Sequence, residues 1–128
     1  IDMGDFAGGL LKYLRKHPVP RLTIAGGVGK MTKLAQGAMD LHSSRSRADM
    51  ADMARMLQSL GAPAAVAERA KSANTAAEVL AQAEALGLPL GDLIARRARE
   101  TAMATLAGDT AVEVAVFDRE GSLVGHAV

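Results

Sequence analysis

Apolar residues recur along this chain with two different periods. Phe6, Leu10 and Leu14 are spaced by four, one stripe of a helix from Met3 to His17 that Asp2 or Asp5 is placed to cap and Pro18 to stop. After Pro20, Arg21-Leu22-Thr23-Ile24-Ala25 reads as a short buried strand, Gly26-Gly27-Val28-Gly29 as a turn, and Lys30 to Gly37 as a helix. Strand, glycine turn and helix form the recurrent unit of α/β proteins. The next stretch, Asp40 to Arg47, is too polar for a core element. Met50, Met53, Leu57 and Leu60 then make a helical stripe that Gly61 ends. Pro63 suits the first turn of a short helix to about Lys71. Thr75 followed by Glu78 is a capping-box pattern for a helix to about Leu86, closed by Gly87. Pro89 or Asp92 opens the last helix, through Leu106 to Gly108.

The period then falls to two. Val112, Val114 and Val116 alternate with Glu113 and Ala115, Asp118 to Gly121 is a turn, and Leu123-Val124 begins a return strand. The expected fold class is α/β (or α+β): a helix-rich single domain, 1–128, with a small mixed sheet that includes a C-terminal β-hairpin. A hairpin alone is marginal in water, so its strands need further partners. The opening Ile1-Asp2-Met3 lacks an initiator and runs directly into a helical pattern. We expect the sheet to be partly supplied by missing N-terminal sequence, or by another chain.

Composition narrows the function classes. Aromatic residues are 2% of the 128, too few for a base-stacking platform, and the formal charge of +1 gives no bulk grip on nucleic acid or an acidic membrane. Cysteine is absent, which excludes disulfides and thiolate chemistry and fits a reducing cytoplasm. No apolar run reaches the ~18 residues that a bilayer requires. His17, His42 and His126 lie in separate segments without ligand spacing, so no protein-built metal site is expected. Met50, Met53 and Met56 read as core packing, and Arg96, Arg97 and Arg99 as the wet face of the last helix.

Two clusters carry candidate chemistry. In the first, Gly26, Gly27 and Gly29 allow a ligand close to the backbone, the following helix offers its N–H groups, and Lys30 and Lys33 add positive charge one turn apart. This suits a carboxylate or phosphate. It is neither a Walker A loop, since Ile24 stands where the first glycine should and Met31 follows the lysine, nor a dinucleotide fingerprint. The structural reading is a plain strand–helix turn bearing two solvated lysines. The second cluster is Asp40, His42, Ser43, Arg45 and Arg47, where His42 can move a proton and Asp40 can orient it. Read structurally, the same stretch is a loop in which Ser43 or Ser46 caps a helix.

Taken in order, Met3-Gly4-Asp5-Phe6, Ala25-Gly26-Gly27-Val28-Gly29-Lys30-Met31-Thr32-Lys33-Leu34-Ala35-Gln36-Gly37 and Asp40-Leu41-His42-Ser43 resemble the later part of the cobalt-precorrin-5B C-1 methyltransferase family of anaerobic cobalamin synthesis. The resemblance covers essentially the whole chain, although Ala62 to Ala107 adds little specificity. It implies the C-terminal portion of a larger, two-domain cytoplasmic enzyme. It also implies S-adenosylmethionine as methyl donor, a corrinoid substrate that carries the cobalt, and the N-terminal part of the same protein as partner. A homo-oligomer is compatible with the sequence; nucleic acid and membrane are not expected partners.

Under this reading Gly26, Gly27, Gly29, Lys30, Lys33, His42, Ser43 and Arg45 are expected to bind cosubstrate or substrate, with Asp40 and His42 as catalytic candidates. Which ligand meets Gly26 to Lys30 is open, with S-adenosylmethionine preferred. The rival reading is a non-enzymatic anion- or nucleotide-binding α/β oligomerisation module.

Overall fold

A computed structural model describes residues 7–37 and 48–128. Among these residues the chain forms α1 (Ala7–Lys16), β1 (Arg21–Gly27), α2 (Val28–Ala35), α3 (Met50–Ser59), α4 (Ala64–Ala70), α5 (Ala76–Ala85), α6 (Leu90–Leu106), β2 (Ala111–Phe117) and β3 (Leu123–Ala127). This is a helix-rich α/β domain with a mixed sheet, as the two periodicities predict.

The sheet order is β1-β2-β3, with β1 parallel to β2 and β2 antiparallel to β3. Period two places Leu22 and Ile24 with Val112, Val114 and Val116 on one face, where all five are buried. Helices α2 and α6 cover that face through Val28, Met31, Leu34, Leu90 and Ile94. Along α6, Ala95, Ala98 and Ala102 are fully buried, and their small side chains let neighbouring elements approach closely. Met53 and Met56 are core residues.

Several boundaries differ from the sequence expectations for identifiable reasons. In α1 the fully buried residue is Leu11, while Leu10 is half-buried; the inward face is centred one residue later. Strand β1 runs on through Gly26 and Gly27 because Val116 and Phe117 pair with them, and α2 begins at Val28 rather than Lys30. The cap of α3 is Asp49, whose side chain accepts from Asp52 N; Ser43 and Ser46 lie outside the described residues. A cap must sit immediately before the first helical residue, here Met50. Helix α6 stops at Leu106, and Ala107 beyond it is left-handed, φ 53°.

Of the three arginines expected on the wet face of α6, only Arg96 is exposed, and Arg97 and Arg99 are half-buried. Arg97 lies 3.9 Å from Asp52 of α3. Arg99 Nε donates to Val112 O at 2.8 Å, at a level of β2 that β3 does not reach. A carbonyl without a strand partner there explains the inward turn. Among the described residues no helix is long and apolar enough to cross a membrane.

Candidate functional site

The parallel pairing of β1 with β2 brings their carboxyl ends side by side, and a cleft of about 640 Å³ opens there. Open α/β sheets bind ligands at this end because the chain leaves the strands in loops and begins helices whose N–H groups point inward. One wall is the run from Ala25 to Met31, which is the end of β1 and the first turn of α2. The facing wall is the start of α5, Thr75 to Ala77, continued by Leu80, Ala81 and Glu84. Phe117 and the Asp118-Arg119-Glu120 turn complete it.

The two helix starts differ. Thr75 caps α5 by accepting from Glu78 N at 3.2 Å, and the Glu78 carboxylate accepts from Asn74 N at 2.9 Å. The N-cap of α2 is Gly27, which has no side chain to offer as acceptor. The first turn of α2 therefore faces the cleft without a capping side chain of its own. A Cβ placed on Gly27 or Gly29 would meet nothing within 4 Å, so both border open space. A Cβ on Gly26 would come 2.9 Å from the Met31 terminal methyl.

Of the residues expected to bind, Gly26, Gly27, Gly29 and Lys30 line this cleft together. Lys33, one turn further along α2, is not part of the lining. Asp40, His42, Ser43, Arg45 and Arg47 lie outside the described residues.

The cleft also holds residues the sequence reading did not single out: Glu84, Glu120 and the start of α5. The capping box at Thr75 marked that helix start but not what it faces. Asp118 has another task, because its Oδ1 accepts from Glu120 N and Ser122 N and so holds the hairpin turn. Chemically, the arrangement offers N–H groups and a lysine on one wall and carboxylates on the other. That suits a ligand carrying both charges.

Residues 40–128 match the family model described as CbiD, C-terminal domain. The chain belongs to that family. Among curated relatives of this CbiD C-terminal domain, it is 56% identical over 128 residues to the cobalt-precorrin-5B C(1)-methyltransferase of Halorhodospira halophila, covering 99% of this chain and 34% of the relative. To the proteins of the same name from Bradyrhizobium sp. (strain BTAi1) and Brucella abortus (strain S19) it is 54% identical over 127 residues, covering 98% of this chain and 34% of each. The chain thus spans about a third of the length of these relatives. Gly26 to Lys33 precede the residues matched by the CbiD family model but fall within the stretch aligned to the relatives. No solved structure matches the chain.

Proposed function

We propose that this chain is a single domain forming the C-terminal portion of a cytoplasmic cobalt-precorrin-5B C(1)-methyltransferase, and that its cleft binds S-adenosylmethionine. In this reaction the methyl–sulfur bond breaks, a bond forms from that methyl to C-1 of the macrocycle, and the sulfonium becomes a thioether. Cobalt belongs to the corrinoid substrate, held by its ring nitrogens.

The observation that carries the cosubstrate assignment is the convergence of the side-chain-free turn at Gly27 and Gly29 with two helix starts over one cleft. S-adenosylmethionine has a carboxylate for the α2 end and Lys30, and a sulfonium and an ammonium for Glu84 or Glu120. About 640 Å³ matches a molecule of that size. A tetrapyrrole with acetate and propionate arms needs more room, and we assign it to a surface shared with the rest of the full-length enzyme. Arg45 and Ser43 are the residues of this chain proposed to reach it. Methyl transfer asks chiefly for in-line approach and a dry site. The groups named here therefore bind and orient, while Asp40 and His42 are the candidates for any proton movement.

The test is calorimetric titration of the full-length protein with S-adenosylhomocysteine. Gly27→Val directs its side chain into open space, so the fold is retained while the cleft is obstructed. Affinity should fall at least about tenfold, ~1.4 kcal/mol. Unchanged affinity removes the cosubstrate from this cleft. Binding of magnesium-ATP with no response to S-adenosylhomocysteine would favour the nucleotide-binding module instead.

A further inference from the structure

We infer that the face of the sheet on which no described helix packs, with the outer edge of β1, is the seat of the remaining part of the full-length protein. This rests on the reading above that the chain is one portion of a longer enzyme. Alternation sends Leu22, Ile24, Val112, Val114 and Val116 to the helix-covered side. It leaves Thr23, Ala25 and Ala111 exposed, and Glu113 and Ala115 half-exposed, on the other. Sheets with parallel pairing are ordinarily covered on both faces, because uncovered apolar strand surface gains nothing from water.

The chemistry of this face is that of a surface made to be covered. Its alanines let another backbone or helix come close. Its central carboxylate is already satisfied across all three strands: Glu113 Oε1 accepts from Thr23 Oγ1 at 3.2 Å, and Oε2 is 2.6 Å from His126 Nε2. A carboxylate with both oxygens paired costs far less to bury than a bare one.

The edge argues the same way. In the sheet order β1-β2-β3, the far side of β1 pairs with no described strand. Exposed edges are usually guarded by lysine, proline or a bulge. Strand β1 has a charge only at its first residue, Arg21, just after Pro20; from Leu22 to Gly27 it carries neither charge nor proline, and its register with β2 has no bulge. The occupant must be long enough to cover a face and extend a sheet. The chain covers 34% of its relatives, so about two thirds of each relative remains to supply it.

The experiment uses the full-length protein with its other cysteines replaced and a single probe at Thr23→Cys or Ala111→Cys, neither of which lines the cleft. Maleimide labelling of the folded protein should run at least about 100-fold slower than after unfolding in urea, because the reaction waits for local opening. On the protein without these substitutions, hydrogen exchange along the outer edge of β1 should be slowed to match, which tests the edge even if a cysteine variant fails to fold. Labelling within about tenfold of the unfolded rate, with fast exchange at β1, overturns the inference. Protection that disappears on dilution assigns the face to a second copy and overturns it equally. Neither readout uses cosubstrate or corrinoid, so a protected face in a protein that fails to bind S-adenosylhomocysteine would sink the cosubstrate assignment and leave this inference standing.

Discussion

Gly91, at the start of α6, lies so close to Gly125 of β3 that a Cβ on Gly125 would overlap the main chain of Gly91, and a Cβ on Gly91 the carbonyl of the preceding Val124. Beside this contact, Asp92 Oδ1 accepts from His126 N at 3.0 Å. The pair fixes the height at which α6 rests on the sheet. Backbone atoms cannot swing aside as a side-chain tip can. Gly125→Ala or Gly91→Ala should therefore cost roughly 3 kcal/mol or more, read as a lower urea midpoint. Gly9→Ala, in α1 with open space around it, should instead raise stability by up to about 1 kcal/mol. Equal effects at the two kinds of site would contradict the close approach.

Gln36 clasps the end of α2 to the start of α3. Its Nε2 donates to Asp49 O at 2.9 Å and to Asp52 Oδ2 at 3.1 Å, and its Oε1 accepts from Asp49 N at 2.6 Å. Gln36→Glu exchanges the donor for a charge facing Asp52. A loss of about 1–3 kcal/mol is expected, larger above the carboxylate pKa range than below it. A loss independent of pH would count against the Asp52 contact.

Thr75 caps α5 at the wall of the cleft. Thr75→Ala should lower stability by about 1 kcal/mol, and Thr75→Ser should recover most of it because the serine hydroxyl keeps the bond to Glu78 N. Chemical denaturation of the three proteins distinguishes a cap from simple packing, which serine would not restore.

The side-chain hydrogen bond to His126, then that to Thr23, holds the Glu113 carboxyl below its ordinary 4.5, against the opposing pull of desolvation. The folded protein thus gives up this proton at lower pH than the unfolded chain does. The stabilisation is complete above about 4.5 and fades as pH falls through the lowered value. Glu113→Gln should flatten the fall of Tm on acidification in that window. Parallel curves for the two proteins would refute the coupling.

What the sequence disclosed was whatever depends on near neighbours. The stripe from Met50 to Leu60 and its Gly61 stop, the capping box at Thr75 and the alternation from Val112 all correspond to elements found. Gly61 and Gly87 take positive φ, 89° and 69°, just beyond the helices they were read as ending. The glycine turn was legible as a stretch with open space beside its backbone, yet only half the cleft was. Glu84 and Glu120 come from segments read as ordinary helix and hairpin turn. Glu120 reaches the cleft because β1 and β2 are parallel neighbours, and Glu84 because α5 packs on α2. No local pattern encodes that pairing. The inward turn of Arg99 was hidden for the same reason, since it answers a carbonyl on a strand reached only after α6 ends.

Thr23 and Glu113 touch although 90 residues separate them along the chain. Closing so long a loop costs entropy before any contact repays it, and the cleft is bordered by the ends of both strands. The cleft consequently has no existence in a half-folded molecule. Whatever occupies it pulls the finished state forward by mass action, so occupancy and heat resistance should rise together.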